Sequence, residues 1–350
     1  MPDYYGGGDH GFSLFCDLGT PRWRSPQRGV LGALLAHWSL PRQLPALASL
    51  PTGAGKTAVA LAAPHLIKAQ RVLVVVPSRD LRGQTETAFR SQDVLYRIGA
   101  ITGATRPRVL ALSGLVADWA TLRDAEVVVA LPNSISPSYY ESGGPPPKDL
   151  FDLVIIDEAH HAPARTWRAI LEHFEADHAL LLTATPRRRD GQRLPGEHIY
   201  HYPLRQALDE RLYQPVVPVV LDLPPTPDRD SVDELIAAET IRRAAQPEHA
   251  TSTVLIRAST VSRANALAAR YRTLGLDVAV LHNRVGARAR AGVIEGLRDG
   301  RTRAVAVVDM LGEGFDLPRS LLIGRVSVGV VDLVDSEVRA AGCQRADCPV

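Results

Sequence analysis

Pro51-Thr52-Gly53-Ala54-Gly55-Lys56-Thr57 decides how this chain is read. It follows an apolar run at 44–50 that reads as a buried strand, and it opens an alanine-rich stretch of helical length that continues to about 68. A glycine-rich turn between strand and helix is the context a phosphate-binding loop requires. Glycines let the backbone curl until several N–H groups and the helix N-terminus face one point, which suits phosphate oxygens. Thr52, Gly53, Ala54 and Gly55 then form the cradle. Lys56 reaches the β- and γ-phosphates of ATP, and the Thr57 hydroxyl ligates Mg²⁺. Composition singles out Lys56 too, because Lys56, Lys68 and Lys148 are the only lysines among 40 basic residues.

On both sides of this loop, short apolar runs alternate with amphipathic stretches, the pattern of parallel βαβ units. The pattern predicts strands at 71–76, 126–130, 151–156 and 179–183, with a helix starting near Arg79. Their near-continuous Val, Ile and Leu content suits strands covered on both faces. Ser142-Gly143-Gly144-Pro145-Pro146-Pro147 interrupts the rhythm as a surface loop. Leu223-Pro224-Pro225-Thr226-Pro227-Asp228 interrupts it again and reads as an interdomain linker or its edge. Strands at 253–256, 277–281 and 302–308 and helices at 261–274 and 287–298 then restart it, so two tandem α/β domains are expected.

At 350 residues, with 45% hydrophobic and 22% charged content, the chain can build two cores. No apolar run reaches membrane-spanning length, and Met1-Pro2-Asp3-Tyr4-Tyr5 lacks the basic-then-apolar order of a secretory leader. Three scattered cysteines form neither a disulfide framework nor a zinc pattern. The expectation is a cytoplasmic protein without a membrane partner. A net charge of +2 neither demands nor excludes a nucleic-acid partner.

A second chemical motif lies at Phe151-Asp152-Leu153-Val154-Ile155-Ile156-Asp157-Glu158-Ala159-His160-His161. A buried strand there delivers two carboxylates at its C-terminal end, where open α/β sheets bind their ligands. Asp157 can hold Mg²⁺, and Glu158 can orient and deprotonate an attacking water.

The Asp-Glu-Ala-His string resembles motif II of the DEAH-type superfamily 2 helicases, and the other motifs follow in family order. Gln27, in Arg22-Trp23-Arg24-Ser25-Pro26-Gln27-Arg28, matches the glutamine that reads adenine in this family. Pro77-Ser78-Arg79-Asp80-Leu81-Arg82-Gly83-Gln84 is similar to motif Ia, and Ala130-Leu131-Pro132-Asn133-Ser134 to the next nucleic-acid-contacting segment. The resemblance therefore implies nucleic-acid contacts at Ser78, Arg79, Gln84, Asn133 and Ser134. Bottom-up, each of these is equally suited to capping a helix or forming a turn. Thr183-Ala184-Thr185-Pro186 looks like motif III, which implies that Thr183 and Thr185, with His160, couple hydrolysis to nucleic-acid binding. Val254-Leu255-Ile256-Arg257-Ala258 resembles motif IV, and Asp309-Met310-Leu311-Gly312-Glu313-Gly314-Phe315-Asp316 motif V, which implies ATP contacts from Gly314 and Asp316.

His160-His161, and Arg-Asp-Gly after motif III, place the resemblance in the restriction-enzyme Res-subunit-like branch. That branch implies an ATP-dependent DNA helicase or translocase with ATP between its domains, double-stranded DNA as partner, and a nuclease or defence-system partner. The implied fold is α/β, with two tandem RecA-like domains of parallel sheet, the second incomplete. The boundaries read as an N-terminal extension at 1–20, domain 1 at 21–212, a linker at 213–230, a partial domain 2 at 231–320 and an atypical tail at 321–350. The family's Q-x-x-G-R-x-x-R motif supplies arginine fingers to the γ-phosphate. Here Ile323-Gly324-Arg325-Val326-Ser327-Val328 puts Val328 where the second arginine belongs. The joint loss of motif and rhythm predicts a reading frame shifted or broken near Arg319. It also leaves an alternative: a nucleotide- and DNA-binding remnant with little hydrolysis.

Overall fold

The computed structural model describes residues 4–7, 11–14, 22–41, 44–140, 144–161, 165–185, 194–212, 219–222, 226, 228–308 and 321–324. The chain divides into two compact units, Met1–Pro203 and Leu204–Val350. No helix among the described residues is long and apolar enough to cross a membrane.

In chain order, unit 1 contains α1 (Tyr4–Gly7), α2 (Ser25–Trp38), β1 (Ala46–Ser49), α3 (Lys56–Ile67), β2 (Val72–Val75), α4 (Arg79–Ser91) and α5 (Asp93–Arg97). β3 (Val109–Ala111), β4 (Val127–Ala130), α6 (Pro132–Ile135), β5 (Leu153–Ile156), α7 (Arg165–His173), β6 (His178–Thr183) and β7 (Glu197–His201) follow. Its strands form one parallel sheet of seven in the order β3-β4-β2-β5-β6-β1-β7.

Period-two alternation explains why the strand sequences are apolar throughout. Leu73, Val75, Val128, Ala130, Val154, Ile156 and Leu181 pack on one face with Phe151, Trp167, Ile170 and Phe174. Their chain neighbours Val72, Val74, Val127, Val129, Leu153, Ile155, Leu180 and Leu182 are equally buried on the other. Each such side chain contributes about 1.5–3 kcal/mol on leaving water. α3 is buried nearly all round, and its run Ala58-Val59-Ala60-Leu61-Ala62-Ala63 is small enough to lie close to its neighbours.

Residues 4–7 and 11–14, the described parts of the segment expected as an N-terminal extension, pack onto this unit. Phe12 forms an antiparallel bridge with Ile101 and stacks on the His65 ring of α3 at 4.7 Å, while Tyr5 meets the same ring edge-on at 4.8 Å.

Unit 2 holds α8 (Leu204–Asp209), α9 (Arg229–Ala244), β8 (Thr253–Arg257), α10 (Val261–Thr273), β9 (Ala279–Leu281), α11 (Ala287–Asp299), β10 (Ala304–Val307) and β11 (Leu321–Gly324). Its four strands are parallel, in the order β11-β8-β10-β9. Val254, Ile256, Ala304 and Ala306 face Leu267 and Tyr271 of α10, whereas Leu255, Val305 and Val307 face Leu297 of α11. Both units are thus parallel α/β sheets of the RecA-like kind.

Two details differ from the sequence reading. α9 went unpredicted because its buried positions, Val232, Asp233, Ala237, Thr240 and Ala244, are small or polar apart from Val232. β11 lies in the stretch set aside as an atypical tail, yet it pairs in register with β8, Leu321 opposite Thr253 and Gly324 opposite Ile256. Residues 325–350, on which the absence of the arginine motif was argued, lie outside the described residues.

Candidate nucleotide site and nucleic-acid surface

β1 leads directly into the glycine-rich loop. Leu50 N–H donates to the Thr183 carbonyl at the end of β6 (2.8 Å), and Ala54 N–H to Pro51 O (3.1 Å), which closes the turn. Gly53 and Gly55 adopt φ of 82° and 96°, the left-handed region that side chains with a Cβ rarely enter. α3 starts at Lys56, with Ala58 N–H bonded back to Gly55 O at 3.0 Å. Lys56 is buried, whereas Thr57 is exposed on the first turn.

The two carboxylates leave the end of β5, one strand removed from β1, with β6 between them. Asp157 N–H still belongs to the sheet, donating to Val75 O at 3.0 Å. Glu158 then turns to φ 52°, and its N–H donates to Asp157 Oδ1 at 3.0 Å. A non-glycine residue held there carries roughly 1–3 kcal/mol of strain, and such strain gathers at functional sites. Here the turn aims the Glu158 side chain at Lys56, whose Nζ donates to Oε1 at 2.8 Å, with side-chain exposures of 10% and 5%.

Burial pushes the Glu158 carboxyl up, but the Lys56 ammonium and the His160 ring outweigh it and hold the group below its ordinary value. His160 Nδ1 lies 3.5 Å from Glu158 Oε2 and 3.5 Å from Thr183 Oγ1. The Thr183 hydroxyl in turn accepts from Thr185 N–H at 3.1 Å. The fold thus brings Lys56, Glu158, His160, Thr183 and Thr185 into one line of polar contacts at the carboxyl ends of three strands.

Gln27, buried near the start of α2, joins the loop from the other side. Its Oε1 accepts from Arg24 N–H at 2.9 Å, which leaves the amide nitrogen as the free donor end. That nitrogen lies so close to Gly55 that an added Cβ would stand 2.0 Å from it. The Arg24 guanidinium donates to Gly53 O at 3.0 Å, a contact the sequence reading missed. No signal in the sequence marked it, since arginine is not an N-capping residue. Glycine at 55 is therefore required twice, by its φ and by the amide above it. Loop N–H groups, a buried lysine and adjacent carboxylates fit a magnesium nucleotide, with Thr57 and Asp157 as the groups to hold Mg²⁺.

The nucleic-acid candidates separate by exposure. Arg79, Gln84 and Asn133 are exposed beyond the ends of β2 and β4. Ser78 is exposed as well, but its hydroxyl caps α4, accepting from Leu81 N–H at 3.2 Å. Ser134 departs from the expected surface contact: it is buried at 5% exposure, and its carbonyl accepts the Tyr140 hydroxyl at 2.6 Å. A short helix that packs Ile135 into the core carries Ser134 inward with it. Gly314 and Asp316 lie outside the described residues.

Sheet order, glycine loop and the carboxylate-histidine-threonine line are those of a P-loop domain and resemble the superfamily 2 helicases. Residues 20–188 match the family described as "Type III restriction enzyme, res subunit". A relative is the DNA 3'-5' translocase XPB2 of Sulfurisphaera tokodaii, 32% identical over 143 residues, 41% of this chain and 27% of the relative. The chain thus spans about a quarter of that relative's length. A fragment of a putative HsdR subunit of a type I restriction enzyme from Vibrio vulnificus shares the fold with a TM-score of 0.58, 21% identity, and coverage of 92% of this chain and 60% of that one. S. cerevisiae Dbp5, in a structure with RNA and ADP BeF3, gives 0.56 at 16% identity, covering 91% and 79%.

Proposed function

We propose that this chain is an ATP-hydrolysing motor that moves along DNA. The observation that carries the reading is the buried Lys56–Glu158 pair, which joins the glycine loop to the carboxylate strand at 2.8 Å. In this reading Lys56 turns from Glu158 to the β- and γ-phosphates. Burial then acts on Glu158 without its opposing cation, so the carboxyl becomes more basic and suited to accept a proton from water. Thr57 and Asp157 hold Mg²⁺, which neutralises charge on the transferring phosphoryl group. Gln27 presents its amide donor to adenine, while Arg24 keeps the loop in shape through Gly53 O. The His160–Thr183–Thr185 line transmits the state of Glu158 to the end of β6.

Ser78, Arg79, Gln84 and Asn133 bind phosphate, which gives contact without sequence preference and suits double-stranded DNA. The relative named as a DNA translocase supports DNA over RNA, and the restriction-enzyme family supports work within a restriction-type assembly. Displacement of a third strand from a triplex on duplex DNA tests the movement. ATP-dependent displacement that is lost in Glu158→Gln is expected. A chain that hydrolyses ATP on duplex but never displaces the third strand is not a translocase.

A further inference from the structure

Two exposed apolar side chains of unit 1, Leu115 and Tyr139, sit in loops that the reading above does not use; Leu35, Leu40 and Leu44 are exposed elsewhere, in and after α2. β3, β4 and β2 are neighbours in the sheet, so the loops at their carboxyl ends share one rim. Two of these loops carry polar candidates, Ser78 and Arg79 after β2 and Asn133 after β4. The same rim presents Leu115, 60% exposed, after β3, and Tyr139, 45% exposed, seven residues beyond α6's first turn of chain at Pro132.

A single exposed apolar side chain is ordinary on any protein surface. These two differ because the backbone beneath them is fixed. The buried Tyr140 hydroxyl accepts from Val116 N–H at 2.9 Å and donates to Ser134 O at 2.6 Å, which stitches the β3 loop to the segment after β4. Trp119 packs its ring on Tyr140 at 4.7 Å and reaches the core from there. Arg82 of α4 donates to Leu112 O at 2.6 Å and anchors the start of the β3 loop. Ser136 and Ser138 share a hydroxyl hydrogen bond at 2.9 Å. Neighbouring aromatic and aliphatic residues are thus packed inward, while Leu115 and Tyr139 are held out in water on an ordered support.

We propose that Leu115 and Tyr139 form an apolar contact for unstacked bases of a single DNA strand, at the β3–β4 end of the phosphate-binding rim. The proposal rests on the DNA-motor reading and extends it from phosphate to base. A phenol ring stacks on any base, so such a contact adds affinity without sequence preference. Bases in an intact duplex are stacked on each other and cannot use it. Pre-ordering by the Tyr140 stitch lowers the entropy lost on binding. The surface therefore favours single strands or opened junctions over closed duplex, beside Arg79 for the backbone.

The test is fluorescence anisotropy of the purified chain with labelled oligodeoxythymidine and with a blunt duplex of equal length. Tyr139→Ala should weaken the single strand about fivefold or more and the duplex less than about twofold. Leu115→Ser should act in the same direction, and Tyr139→Phe should retain wild-type affinity because the ring remains. Single-strand affinity unchanged in both Tyr139→Ala and Leu115→Ser, or an equal loss on both ligands, overturns the proposal while leaving the motor reading intact. A wild-type chain that binds neither ligand overturns the DNA reading, and this inference with it.

Discussion

Replacing Lys56 by alanine should unfold unit 1 more easily at neutral pH and only slightly in mild acid. The change leaves the Glu158 carboxyl, 4% exposed, without its 2.8 Å partner. His160, 3.5 Å from the other oxygen, is the nearest remaining cation when protonated. Breaking a buried ion pair on one side costs about 3–5 kcal/mol. Proton uptake by the stranded carboxyl limits that cost. Protonating a glutamate of ordinary pKa costs about 3.7 kcal/mol at pH 7 and about 1 kcal/mol at pH 5. Lys56→Ala should therefore lose about 3 kcal/mol at pH 7 and about 1 kcal/mol at pH 5. The Lys56→Ala/Glu158→Gln double variant, which carries no buried charge there, should regain about 2 kcal/mol at pH 7. Urea unfolding followed by tryptophan fluorescence reads this unit selectively, since all four tryptophans, Trp23, Trp38, Trp119 and Trp167, lie within it. A loss of equal size at both pH values, or a double variant no more stable than the single, would refute the reasoning.

Wild-type unit 1 should itself show the opposite pH sign. Glu158 is held below its ordinary 4.5, so its contribution is complete above that value and fades as the pH falls through the folded value; a fall in stability from pH 5 to 3 that is smaller in Glu158→Gln than in wild type would show it in urea titrations. Gly55→Ala should abolish most nucleotide binding, because a Cβ would meet Gln27 Nε2 at 2.0 Å on a backbone at φ 96°; a fluorescent ATP analogue titrated with equal affinity would contradict this. Arg24→Ala should weaken the same analogue about three- to tenfold through loss of the Gly53 contact, an effect Arg24→Lys partly restores. Asp152→Ala should cost about 2–3 kcal/mol in urea unfolding, since Asp152 accepts from Gln70 N–H at 2.6 Å and Arg71 N–H at 2.7 Å.

Much of unit 1 is legible in the sequence, for a physical reason. Strands buried on both faces need Val, Ile and Leu at every position, so β2, β4, β5 and β6 stand out as runs whose ends move by only a residue or two. The glycine loop is equally legible because its backbone requires glycine at Gly53 and Gly55. β7 escaped notice because an edge strand, Glu-His-Ile-Tyr-His, need not be apolar. What pairing does to individual side chains was also hidden. Nothing in the order of residues said that Glu158 would point at Lys56, since that depends on a left-handed turn at a glutamate. The inward turn of Ser134 and the outward display of Tyr139 depend on which neighbour the Tyr140 hydroxyl finds.

The central claim is that hydrolysis at Lys56 and Glu158 is coupled to DNA, and steady-state ATP hydrolysis by the purified chain tests it most directly. The rate should be measured without DNA, with single strands and with duplex, beside Glu158→Gln. The account predicts turnover that rises with DNA and disappears in Glu158→Gln. ATP bound without turnover, or turnover indifferent to DNA, would contradict it.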